Sequence, residues 1–188
     1  PDHFENETEY AQFAALLVAG GAVKDASFLW WAIRPALRYP TLELRICDVC
    51  TRVDDTLAIA ALYRCLVRLL VRRPELASEW TPFTRRLIDE NRWRAKRFGT
   101  DAMFLSEDGS PARTCRAVAE ELLAHVADDA RALDCEGEMA RVRTLLDEGT
   151  SAHAQVKLYR AFRARGDTPT RAMHSVVDWL IAATMPPG

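Results

Sequence analysis

Only a few short stretches of this sequence read as β-strand, and almost every other patterned stretch reads as helix. That imbalance constrains the fold more than any single motif. FLWWAIR (Phe28 to Arg34) is rich in aromatic and β-branched residues and is closed by Pro35, which predicts a strand. After a turn over Pro35 to Pro40, TLELRICD (Thr41 to Asp48) alternates strictly and predicts a second. The two could pair as a hairpin or lie apart in one sheet. AMFLS (Ala102 to Ser106) followed by EDGSPAR predicts a short third strand and a turn. Two strands do not make a stable sheet alone. FLWWAIR and TLELRICD therefore read as members of a larger sheet, most of which is not in the sequence.

The helical patterns are long and regular. Residues 7 to 19 carry apolar residues at helical spacing and stop at Gly20 and Gly21. Thr51 and Asp54 have capping-box spacing ahead of a stripe of Ile59, Leu62, Leu66, Leu69 and Leu70, with Arg64, Arg68 and Arg72 on another stripe. That helix should end before Pro74. Further helices are predicted from about Glu79 to Phe98, with Pro82 in the first turn and Gly99 after the end. Others are predicted over about 112–134, over 137–148 with continuation after a break to 165, and over 168–184, leaving MPPG as an unstructured tail. The expected class is α+β: mostly helical, with two or three antiparallel strands, in a single domain spanning 1–188.

Composition excludes several classes of function. A net charge of −2 provides no basic footprint for nucleic acid. No apolar run approaches the roughly 18 uncharged residues a membrane span needs. PDHFENETEY is acidic and polar, unlike a signal peptide, and its lack of an initial methionine hints at sequence upstream. The five scattered cysteines fit reduced thiols in a cytoplasm better than a disulfide framework. Cys47 and Cys50 have CxxC spacing, but no second ligand pair accompanies them and ordinary packing is expected. His3, His125, His153 and His174 show no ligand spacing, and the pairs Asp54–Asp55 and Asp128–Asp129 read as solvated surface.

In a strand over TLELRICD, Leu42, Leu44 and Ile46 point one way, and Glu43, Arg45 and Cys47 the other. The apolar set can bury against the following helices. The polar face then presents a carboxylate and a guanidinium, which is compatible with an ordinary solvated charge pair. Arg34, held between Ile33 and Pro35, adds a second rigidly placed fork. A site handling ATP needs a carboxylate for Mg²⁺ and cations for transferring phosphoryl oxygens; Glu43 suits the first need, and Arg34 and Arg45 the second. There is no Walker A pattern and no GxGxxG, so any nucleotide site must be of another kind.

Four segments in order carry a family resemblance: IRPALRYPTLELRICD, TRVDDTLAIAALYRCLVRLL, ENRWRAKRFG and GTSAHAQ (Gly149 to Gln155). They resemble the C-terminal half of the bacterial glutamate–cysteine ligase family 2, or carboxylate–amine ligases. The resemblance implies a glutamine synthetase-like fold, with an antiparallel sheet cradling ATP and Mg²⁺ or Mn²⁺. It also implies that a glutamate-like carboxylate is activated as an acyl phosphate and attacked by an amine such as cysteine. Carried over by position, Glu43 becomes the metal and nucleotide-site ligand, and Arg34 and Arg45 the catalytic and phosphate or carboxylate contacts. Asn91, Arg94 and Arg97 become a second cofactor-binding cluster.

The resemblance further implies that the remaining partners are small molecules and the missing N-terminal half of the same fold, without nucleic acid or membrane, and that the protein is a homodimer by analogy. Two departures stand out. Ala32 follows Trp31 where many members have Asp, and Ala36 stands where many have Ser. Without the other half the chain is expected to be inactive alone. The alternatives are a non-catalytic helical interaction module derived from this family and a relative that phosphorylates a carboxylate without ligation.

Overall fold

A computed structural model describes residues 3–77 and 80–185. It is dominated by α-helices, with short antiparallel strands forming two separate two-stranded ladders. The chain packs as two compact units that divide after Asp48.

In the first unit, α1 (Glu7–Ala19) begins because the Asn6 side chain accepts a hydrogen bond from the Glu9 N–H at 3.0 Å, and Glu7 and Glu9 complement the positive helix end. It stops at Gly20, with Gly21 in the left-handed region at φ 70°. Trp31 stacks against Phe13 and Phe4, with Tyr10 edge-on and ring centroids 5.7–6.2 Å from it, so these four rings form a local aromatic core. Its neighbour Trp30 is 76% exposed.

The predicted strand over FLWWAIR is mostly not a strand. Asp25 accepts from the Ser27 N–H at 2.8 Å and winds Ala26–Phe28 into a 3-10 turn. Trp31 leaves to stack on α1, and only β1 (Ile33–Pro35) remains extended. It pairs antiparallel with β2 (Leu42–Leu44), with Arg34 opposite Glu43, so the hairpin alternative is the observed one. The expected burial of the apolar face does not occur. Leu42 and Ile46 are exposed at 48% and 47%, whereas Arg34 is the buried residue of the hairpin at 5%.

The second unit is built on α2 (Val53–Arg72). Its packed stripe is Ala58, Ala61, Cys65 and Leu69; of the predicted Ile59, Leu62, Leu66, Leu69 and Leu70, Leu69 lies in that stripe and the others lie beside it. Small residues face the neighbouring helix because they permit close approach, and the larger ones seal the edge: Leu62 and Leu66 flank the core and Leu70 is exposed. That core is completed by Leu123 of α4 (Cys115–His125), Val126, Ala130 of α5 (Ala127–Ala132), Cys135, and Met139 and Val142 of α6 (Glu136–Glu148). The helix predicted over 112–134 is thus two helices broken at the fully buried Val126.

α3 (Pro82–Phe98) starts at the Thr81 cap with Pro82 in its first turn, as predicted; the expected start at Glu79 lies outside the described residues. β3 (Met103–Phe104) and β4 (Arg113–Thr114) form the second ladder. The predicted break after residue 148 falls at Gly149, followed by α7 (Ser151–Ala164) and, after the 165–168 connection, by α8 (Pro169–Thr184), which packs on α7. Of the MPPG tail, only Met185 lies within the described residues.

Two aspartates expected on the surface are buried instead. Asp55, in the first turn of α2, binds Arg141 of α6, with Nε to Oδ1 at 2.7 Å. Asp129 is wholly buried and receives Arg68 Nη1 at 2.5 Å and Arg72 Nη2 at 2.8 Å. Each carboxylate has its fork supplied from the facing helix, which makes burial tolerable. Among the described residues, no helix is long and apolar enough to cross a membrane.

Candidate functional site: a carboxylate held between two arginines

The β1–β2 register brings the sequence-predicted residues together. Residues directly opposite in an antiparallel pair share a face, and Arg45 lies two residues beyond Glu43 on that same face. Arg34 donates to Glu43 Oε2 from Nε at 3.0 Å and from Nη2 at 2.9 Å, and Arg45 Nη1 reaches the same oxygen at 3.1 Å. The third arm of Arg34 donates to the Ala26 carbonyl at 2.6 Å, tying the hairpin to the 3-10 turn. Thus Arg34 is spent on positioning, whereas Arg45 keeps 42% of its side chain exposed and Glu43 keeps 32%.

The electrostatics follow from this geometry. The Arg34 guanidinium holds the Glu43 carboxyl below its usual range; desolvation opposes this, and Arg45 adds to the lowering. Glu43 therefore stays ionised near neutrality. Two guanidinium groups around one carboxylate leave a net positive charge, suited to an anionic oxygen nearby. Among the described residues, all three guanidinium bonds fall on Oε2 and none on Oε1. Among the described residues, no three His, Cys, Asp or Glu side chains come together as a metal centre.

The second predicted cluster is dispersed in its duties. Asn91 exchanges two hydrogen bonds with the backbone of Leu105, each 2.9 Å, and clamps the chain after β3 to α3. Arg94 pairs with Glu90 at 2.9 Å and reaches the Met103 carbonyl at 3.5 Å. Arg97 lies over the Phe98 ring, 5.4 Å from its centroid.

The sequence reading missed a junction at the start of α7. Thr150 and His153 form a capping box in which the Thr150 N–H donates to His153 Nδ1 at 3.1 Å. With Nδ1 accepting, the ring hydrogen belongs on Nε2, which faces Thr100 Oγ1 at 3.5 Å and Asp101 Oδ2 at 3.7 Å. Glycine is needed on both sides. A Cβ on Gly149, at φ +82°, would lie 3.0 Å from the His153 side chain, and one on Gly99, at φ +57°, would lie 3.2 Å from it.

Thr51 does not cap α2 as its spacing suggests, because its hydroxyl bonds Ser151 Oγ at 2.5 Å, and Gln155 donates to the same Ser151 oxygen at 3.0 Å. Three of the four family-like segments therefore meet here. Spacing could have found His153, since Thr-x-x-His places an acceptor at the third helical position.

The sequence pattern described as glutamate-cysteine ligase family 2 matches residues 1–174. The chain belongs to that family. A Rhodospirillum rubrum protein provisionally named glutamate–cysteine ligase 2 is 44% identical over 100% of this chain and 48% of its own length. Relatives bearing the same provisional name from Bradyrhizobium diazoefficiens and Ectopseudomonas mendocina are 41% and 42% identical over 98% of this chain, covering 41% and 48% of theirs. The chain spans about half the length of the curated relatives it matches. The α+β architecture, mostly helical with short antiparallel strands, agrees with a portion of such a ligase.

Proposed function

We propose that the intact protein is an ATP-dependent carboxylate–amine ligase, joining a glutamate-like carboxylate to an amine such as cysteine through an acyl phosphate. Membership of the glutamate–cysteine ligase family and the provisional names of its relatives support the reaction class. The observation that carries the site is the Arg34–Glu43–Arg45 arrangement, in which an ionised carboxylate keeps one oxygen unbonded beside a half-exposed guanidinium.

In this reading Arg34 fixes the Glu43 carboxylate and excludes its rotation. Glu43 presents Oε1 as one ligand to a divalent cation, Mg²⁺ or Mn²⁺, whose chemistry is to neutralise the polyphosphate. Arg45 offers its free N–H groups to a phosphoryl oxygen or to the substrate carboxylate. The remaining acidic ligands come from the part of the family's catalytic domain that this chain does not span, and both units belong to that one domain. The apolar hairpin face left open at Ile33, Leu42 and Ile46 supports a larger sheet. Asn91 and Arg94 brace the chain around β3, and Arg97 is the member of that cluster best placed to reach a ligand.

Product analysis tests the activity. The intact protein, incubated with ATP, Mg²⁺, glutamate and a panel of amines, should form an amide with one phosphate released per bond. Phosphate transfer to the carboxylate without an amide would favour the kinase-like alternative, supported by the same cation-rich site. Absence of both would favour the non-catalytic module, supported by Ala32 and Ala36.

A further inference from the structure

The core of the second unit holds a feature that the ligase reading does not use. Cys65 of α2 and Cys135, the residue that precedes α6, bring their sulfurs to 3.5 Å although they lie 70 positions apart. Both are buried, at 0% and 4% exposure, and neither is in a disulfide. The Cys135 thiol donates to the Ala130 carbonyl at 3.7 Å, which leaves its sulfur to accept from the Cys65 thiol. Both cysteines belong to the buried core that α2 shares with α4, α5 and α6, together with Ala61, Leu69, Ala130 and Met139.

We propose that Cys65 and Cys135 form a latent dithiol that a small organic disulfide converts to an intramolecular disulfide, locking α2 to the start of α6. Sulfur-to-sulfur contact needs to shorten by about 1.5 Å to reach the bonded length of about 2.05 Å, a movement on the scale of a rotamer adjustment. The balance is that of thiol–disulfide exchange. One protein thiolate attacks a sulfur of the small disulfide and expels a small thiolate, giving a mixed disulfide. The other protein thiolate attacks the protein sulfur of that intermediate and expels the second small thiolate. Two protons leave the protein thiols and are taken up by the two leaving thiolates, and the electron pair passes from the protein to the small disulfide.

Burial, followed by the hydrogen bond with Cys135, pushes the Cys65 thiol up to about 12. In the closed core this thiol is therefore inert, and reaction waits on transient opening of the helix pair. That makes the bond conditional. It forms under combined oxidative and unfolding stress and then holds the helices that had begun to separate.

The test uses the intact protein carrying Cys47→Ser, Cys50→Ser and Cys115→Ser, incubated with hydroxyethyl disulfide at denaturant concentrations below the unfolding transition. Peptide mapping should recover Cys65 joined to Cys135 with the loss of two hydrogens. The Tm should rise by roughly 10 °C, and dithiothreitol should reverse both changes. Adding Cys135→Ala should abolish the cross-link and the shift while the helical circular dichroism remains. Mixed disulfides persisting on either cysteine without a cross-link would overturn the proposal, as would a cross-link that lowers the Tm.

Discussion

Glu43 and Asp129 are each a carboxylate hydrogen-bonded between two arginines, one in each unit, with burial inverted. In the second unit Asp129 is wholly buried, both its oxygens are occupied, and Arg68 and Arg72 keep 38% and 40% of their side chains in solvent. In the first unit an arginine is buried, and Glu43 stays part-exposed with every guanidinium bond on one oxygen. A saturated carboxylate can only hold helices together. One that is rigidly held and only half used can still take a ligand. The difference separates a strut from a candidate site more clearly than residue type does.

Four substitutions and a pH series test that contrast. Glu43→Gln keeps the shape and a hydrogen-bond acceptor for buried Arg34 but removes the charge, so turnover of the intact enzyme should fall about 100-fold or more, with a Tm loss smaller than that of Asp129→Asn. Asp129→Asn should do the reverse. It leaves turnover per folded molecule near normal and destabilises the fold by on the order of 3 kcal/mol, a Tm loss of roughly 10 °C by calorimetry.

Arg45→Met should weaken Mg·ATP binding by about tenfold, and Arg45→Lys should recover part of that loss, since the bidentate fork is lost but the charge is kept. The smallest effect concerns pH. Arg72 first, and Arg68 after it, hold the Asp129 carboxyl below its ordinary value of 3.8. The folded value lies below the unfolded one, so its stabilisation is complete above the unfolded value and is lost as pH falls through the folded one. Urea midpoints measured from pH 5 down to pH 2 should fall more steeply for the native protein than for Asp129→Asn.

The legibility of the two arrangements in sequence also differed, for a physical reason. Glu43 and Arg45 share a face because strand alternation is local, and Arg34 enters because a short hairpin fixes its register. Asp129 could not be read this way. An aspartate pair on a helix looks solvated until the helix five dozen positions earlier supplies its arginines. His153 lay between these cases, visible as a capping position but not as a bridge to Gly99–Asp101. The long helices and the stops at Gly20, Pro74, Gly99 and Gly149 followed from periodicity, glycine and proline, whereas the break at buried Val126 carried no such mark. FLWWAIR misled because Asp25 made a turn and Trp31 found its partners on α1, neither of which β-propensity records.

What distinguishes Glu43 as a ligand from a strut is whether its charge is needed to bind Mg·ATP. Isothermal titration of Mg·ATP into the intact protein and its Glu43→Gln and Asp129→Asn variants measures this directly. Affinity should be lowered at least tenfold by Glu43→Gln and unchanged by Asp129→Asn. Equal Mg·ATP affinity in the native and Glu43→Gln proteins would contradict the ligand role.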